Sequence, residues 1–203
     1  MGAHEELEHA EHAEHASHSN KGIALMIAVL ALFLAISEMA GKSAQTSALT
    51  LQIESSDLWN FFQAKNIRRT MTIVMTENAK IDQATTTDEA RRAALTKQID
   101  EWTKTAARYR SEPEAAHGLG EGTIELSRRA QAKEKERDLQ LNKYHYFEYA
   151  SAALQIAIVL CSAAVITSAM ALVWLAGATG LIGLAFMVMG FLFSHIHLLP
   201  GGH

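Results

Sequence analysis

Three apolar runs, at residues 22–40, 149–175 and 180–199, constrain this chain more than any other feature. Each is long enough, or nearly so, to cross a hydrocarbon core of roughly 30 Å as a helix. Between the first and second lies a polar, charged segment, residues 41–148, with two tryptophans and few glycines or prolines. The mean hydropathy of +0.02 averages two kinds of chain and describes neither. The pattern predicts an all-α fold with transmembrane helices at 22–40, 149–175 and 180–199. A long helical, coiled-coil-like cytoplasmic stalk occupies 41–148, with an N-terminal tail at 1–21 and a C-terminal tail at 200–203.

Formal net charge is −4, and residues 1–21 supply it, with five glutamates against Lys21. The rest balances to zero, so no part reads as a nucleic-acid binder. The single cysteine, Cys161, falls inside the second apolar run, where a small packing role fits better than redox chemistry. The first run reads as an uncleaved helix. The tail before it is acidic and histidine-rich rather than basic, and Ser37-Glu38-Met39-Ala40 is a poor leader-cleavage site.

Seventeen of the eighteen Lys and Arg lie between the first two runs. Lys42 follows the first, and Lys133, Lys135, Arg137 and Lys143 precede the second, whereas the opposite side offers only Lys21. This bias puts the central segment and the C-terminus in the cytoplasm and the N-terminus outside. Tyr144, Tyr146, Phe147 and Tyr149 read as an aromatic belt at the inner interface, and Trp174 as the outer end of the second span, before an uncharged turn at 175–179.

Small residues recur at gaps of three and four on each span. The first carries Ala24, Ala28, Ala31 and Ala35. The second carries Ala153, Ala157, Cys161, Ala164, Ser168 and Ala171. The third carries Gly180, Gly183, Gly190 and Ser194. Such stripes let helix backbones approach closely, within one subunit or between copies. The first stripe leads on to Glu38 and then Lys42, the favourable order for an i,i+4 ion pair. The third leads to His197, with His195 on a neighbouring face. Under this topology Glu38, His145, His195 and His197 share one depth, a candidate metal or proton site, although interfacial residues wetted by headgroups give the same pattern.

The central segment reads as helix throughout. Its first helix extends the first span to about Asp82, amphipathic through Leu51, Leu58, Trp59, Phe61, Phe62, Ile67 and Met71 but without a clean heptad. Thr86 and Glu89 have capping-box spacing. A second helix to about Arg110 carries Leu95, Ile99, Trp102, Ala106 and Tyr109 at gaps of four and three. Pro113, Gly118, Gly120 and Gly122 mark a loop at 111–122, and a third helix runs from about Thr123 into the second span. A thin stalk buries little apolar surface, so Trp59, Phe61, Phe62 and Trp102 are expected to pack between copies of the chain.

In the tail, His9, His12, His15 and His18 alternate with glutamate in a Glu-His-Ala repeat. Imidazole with carboxylate suits Zn, Ni or Cu, although no fixed ligand geometry is encoded. Gly41-Lys42-Ser43-Ala44-Gln45-Thr46, followed by Leu58-Trp59-Asn60-Phe61-Phe62-Gln63-Ala64-Lys65, resembles a bacterial inner-membrane family known as domain of unknown function 4337. The resemblance covers most of the chain, implies an inner-membrane location, and brings no catalytic residues with it. No Ser/His/Asp order, phosphate loop or paired carboxylates in a cleft are present to suggest an enzyme or a small-molecule substrate. The expected function is a non-enzymatic, homo-oligomeric membrane scaffold whose partners are the lipid bilayer and further copies of itself. The alternative is metal or proton handling through Glu38, His195, His197 and the histidine-rich tail.

Overall fold

Scarcity of proline permits long helices. Pro113 and Pro200 are the only prolines, so nothing in the first 112 residues lacks a backbone N–H or clashes with the preceding turn. A computed structural model describes the backbone of residues 3–196 and the side chains of residues 21–192. It is all-α, with no strand among the described residues. Helix α1 spans Ala3–Thr85, α2 Glu89–Arg110, α3 Thr123–Thr167 and α4 Met170–Ile196. Helix α1 runs through Gly41 without a break, so it sets off no separate stalk from the first apolar run. Helices α1, α3 and α4 are each long and apolar enough to cross a membrane.

The helix ends follow from local chemistry. The Thr85-Thr86-Thr87 run is β-branched and ends α1. Asp88, not Thr86, caps α2: its carboxylate accepts from the Ala90 and Arg91 N–H groups at 2.9 and 3.3 Å. The 111–122 loop lies where its glycines and proline put it, with left-handed φ at Ala116, His117, Gly118 and Gly120. Between α3 and α4 the turn is Ser168-Ala169, with φ 50° at Ser168, and not 175–179. No glycine marks this turn, and Gly177 and Gly180 sit inside α4. Trp174 accordingly lies in the first part of α4 and is exposed.

The chain divides into two units. Unit 1 comprises residues 1–47 and 139–203. Ile23 and Leu30 from α1, Leu154, Ala157 and Cys161 from α3, and Ala176 from α4 form its core. Gly180, Gly183 and Gly190 face Ala157, Leu154 and Phe147 in reverse order, so α3 and α4 are antiparallel. A Cβ added at Gly183 would sit 2.9 Å from Leu154 Cγ and 3.1 Å from the Ala150 carbonyl oxygen. Only glycine permits that approach.

Unit 2 comprises residues 48–138. Ser55 Oγ donates to the Ala130 carbonyl at 3.3 Å, Trp59 Nε1 donates to Glu134 at 2.9 Å, and Lys133 pairs with Glu54 at 2.9 Å. These contacts hold the later part of α1 to the first turns of α3. The raised pKa of Lys133 reflects first its hydrogen bond to Glu54. On α2, Leu95, Ile99, Trp102, Ala106 and Tyr109 are half-buried, and no residue of that helix is fully buried.

The side chains of α1 that turn inward follow an alternating gap of four and three. In unit 1 they are Ile23, Ile27, Leu30, Leu34, Ser37, Gly41 and Ala44. In unit 2 they are Ala48, Leu51, Ser55, Leu58, Phe62, Lys65, Arg69, Thr72, Thr76, Ala79 and Gln83. The sequence hides this heptad because its later members are polar.

Candidate functional site

The charge-free stretch of α1 ends at Glu38, and that of α3 begins after Glu148. These two carboxylates line one cavity of about 280 Å³ in unit 1, together with Ser37, Lys42, Tyr144 and Ser151. Helix α1 positions Ser37, Glu38 and Lys42 across one turn. Helix α3 positions Tyr144, Glu148 and Ser151 by the same periodicity. The helices are pinned at this level because the buried Ser37 hydroxyl donates to the Phe147 carbonyl at 3.0 Å. Gly41 lets the Phe147 side chain lie against the α1 backbone.

Glu38 is exposed, and its carboxylate accepts from Gln155 Nε2 at 3.2 Å. The i,i+4 spacing suggested Lys42 as its partner, but Lys42 makes no ion pair among the described residues. Gln155 lies within the charge-free run of α3, and an isolated amide there was the available signal for its role. His145 Nδ1 is 3.4 Å from Glu148 and lines a neighbouring cavity of about 360 Å³ with Tyr146, Tyr149 and Phe186. Tyr149 lies beside Phe186 of α4, with ring centroids 5.8 Å apart.

Among the described residues, no three His, Cys, Asp or Glu side chains converge to hold a metal ion. Glu38 and His145 belong to no such group. His197 lies outside the described residues, as do the side chains of His195, His9, His12, His15 and His18.

The three small-residue stripes have different placements. Gly183 and Gly190 are buried within unit 1, as are Ala153, Ala157, Cys161 and Ala164. Ala24, Ala28, Ala31 and Ala35 are exposed. Bulky residues on α1 complement the small ones opposite, as where Leu30 meets Gly180, so the alanine face of α1 is left outside. In unit 2, Trp59, Phe62 and Trp102 are half-buried, and Trp59 and Phe62 meet edge to face at 5.3 Å. Sequence reasoning missed Lys65. It is buried, and its ammonium lies 3.4 Å from both Glu112 and Glu121 of the loop.

On the outward side of α1 in unit 2, Ile67, Met71, Val74 and Ile81 stand 61, 60, 53 and 63% exposed. Their gaps are four, three and seven, and Asn78 occupies the skipped heptad place. Ile67, Met71, Val74 and Met75 line an open apolar groove with Asn66 and Thr70.

Residues 19–193 match the family described as "Domain of unknown function (DUF4337)". The chain belongs to the DUF4337 family. The DUF4337 match takes in the Glu38–Glu148 cavity, all of unit 2 and its outward apolar row, and it leaves out His9, His12, His15 and His18. No curated protein and no solved structure matches this DUF4337 chain.

Proposed function

We propose that this protein is a non-enzymatic, multi-pass protein of a bacterial inner membrane whose copies assemble into a homo-oligomeric scaffold. The observation that carries this reading is the outward row Ile67, Met71, Val74 and Ile81. It stands on a stretch of α1 that is too polar to lie in lipid, with Arg68, Arg69, Glu77 and Lys80 interspersed. Soluble surfaces rarely expose a contiguous apolar row without a partner for it. Alternating three- and four-residue gaps suit a coiled-coil seam.

Copies inserted the same way around a symmetry axis normal to the membrane bring their α1 helices together in parallel. Each row then meets itself in register, with Asn78 opposite Asn78, an arrangement that fixes alignment in parallel pairs. Unit 2 lies in the cytoplasm in this reading, because seventeen of the eighteen basic residues fall between the first two apolar runs. The N-terminus is then outside.

The mass of the intact protein in mild detergent tests the assembly. A multiple of 22.2 kDa is expected, reverting to a single chain when Met71 and Val74 are changed together to Asp. A single chain in the unaltered protein, across detergents and concentrations, overturns the reading.

A further inference from the structure

The cavity formed by Ser37, Glu38, Lys42, Tyr144, Glu148 and Ser151 has a charge pattern that its own residues leave unneutralised. Two carboxylates and one ammonium share its rim. Glu38 is engaged by a neutral amide, Glu148 by an imidazole nitrogen at 3.4 Å, and Lys42 by no carboxylate among the described residues. The i,i+4 spacing of Glu38 and Lys42 permits an ion pair that the two side chains do not form. Instead the cation and the anions stand apart around about 280 Å³ of space.

The position of the cavity narrows the ligand. From Gly22 to Ser37 on α1, and from Tyr149 to Leu192 across α3 and α4, there is no charged residue. The cavity lies where these runs end, at the level at which a bilayer changes from acyl chains to headgroups. On the same stripe of α1 as Glu38, Ala35, Ala31 and Ala28 are exposed, and their small side chains project little from the helix.

We propose that this cavity seats one phospholipid bearing a primary-amine headgroup. The ammonium of the lipid lies between the Glu38 and Glu148 carboxylates. Its phosphate meets the Lys42 ammonium and the Tyr144 phenol, and an acyl chain follows the alanine stripe. A glycerol headgroup on an anionic phosphate would present no cation to the two carboxylates. A trimethylammonium would offer charge but no N–H donor to them. The proposal rests on the membrane-spanning reading above and goes beyond it.

Native mass spectrometry of the full-length protein in detergent, titrated with phosphatidylethanolamine, phosphatidylcholine or phosphatidylglycerol, tests it. One phosphatidylethanolamine per chain is expected to persist after activation that strips the other two. Its retention is expected to fall roughly five- to tenfold in Glu38→Gln with Glu148→Gln, the loss of charge-assisted hydrogen bonds. Lys42→Gln is expected to weaken phosphatidylethanolamine as well, which a purely anionic repulsion would not do. Far-ultraviolet circular dichroism confirms that the variants remain helical. If they do not, Ser151→Leu, which fills the cavity without altering a charge, must show the same loss. Equal retention of the three lipids, or retention unchanged in both the charge variants and Ser151→Leu, overturns the proposal. Flotation with liposomes after carbonate washing separates the two failures. A protein that does not float overturns the membrane reading itself, and one that floats without headgroup preference overturns only the lipid site.

Discussion

Helix α1 solves two different packing problems in the two units. In unit 1 its inward residues are Ile23, Ile27, Leu30 and Leu34, and its outward ones include Leu25, Val29 and Leu32. In unit 2 its inward residues include Ser55, Lys65, Thr72 and Thr76, while Ile67, Met71, Val74 and Ile81 stand outside. The first segment is apolar on both sides. In the second the inward line changes from Ala48, Leu51, Leu58 and Phe62 to Lys65, Arg69, Thr72 and Thr76, and it is along this polar stretch that the apolar row faces outward. A helix apolar all round suits lipid on its outer face. A helix with polar residues inward and an apolar row outward suits a protein partner, because water would otherwise cover that row. Under the proposed function, outward apolar exposure has different meanings in the two units, and the same substitution should read them apart.

The largest contrast is expected from an aspartate placed on each outward face. Val29→Asp puts a carboxylate in the middle of the first apolar run, at a cost of about 3 kcal/mol for insertion. The carbonate-resistant fraction in membranes should fall steeply. Met71→Asp, also at an exposed position, should leave insertion unchanged and remove the oligomer. If both variants insert equally and both assemble, the distinction between the outward faces is wrong.

A smaller effect is expected from the small-residue contacts within unit 1. Gly183→Leu drives a side chain into Leu154 and the Ala150 carbonyl, and overpacking of this kind costs about 1–3 kcal/mol. Ala31→Leu, on the exposed stripe of α1, should cost far less. Thermal unfolding in detergent compares them. Equal losses would show that the alanine face is as tightly covered as the glycine face, by a neighbouring copy rather than by lipid.

How much of this the sequence discloses depends on whether it writes its contacts in apolar residues. The three apolar runs, the 111–122 loop and the start of α3 were legible, because hydropathy and Gly/Pro chemistry are local. The Ser168 turn was not: it uses a left-handed serine and no glycine. The inward heptad of unit 2 was hidden behind Lys65, Arg69, Thr72 and Thr76, which no apolar template counts. At the candidate site, Glu38 was visible as the charge that ends a run, but its Gln155 partner is 117 positions away. Only packing of α1 against α3 brings them together.

Lys65 sharpens the comparison further, since it is the charge that unit 2 places where unit 1 places leucine. Its pairs with Glu112 and Glu121 are half-open to water on the carboxylate side, so removing the ammonium strands no buried anion. Lys65→Met keeps the aliphatic stem and should cost about 1 kcal/mol or less, whereas Lys65→Ala, which also loses the packing of the stem, should cost more. Hydrogen exchange should quicken at residues 111–122 in both variants and stay unchanged in α4. Exchange that quickens throughout the chain would mean that Lys65 holds up the fold rather than the loop.

The smallest effect is the pH response of the same loop. The Glu125 carboxylate accepts from Ser111 Oγ at 2.6 Å and from the Glu112 N–H at 3.3 Å, tying the start of α3 to the end of α2. The Ser111 hydroxyl is the main cause that holds its pKa below the ordinary 4.5. A carboxyl with a depressed folded-state pKa contributes stability that is present above the ordinary value and is lost as pH falls through the folded one. Protection of residues 111–122, corrected for the intrinsic pH dependence of exchange, should therefore hold at neutral pH and decline on acidification below about 4.5. Glu125→Gln should flatten that decline, and Ser111→Ala should move it toward higher pH, because the principal donor is gone. A decline that keeps its midpoint in Ser111→Ala would mean that the Glu125 carboxylate is not the group responsible.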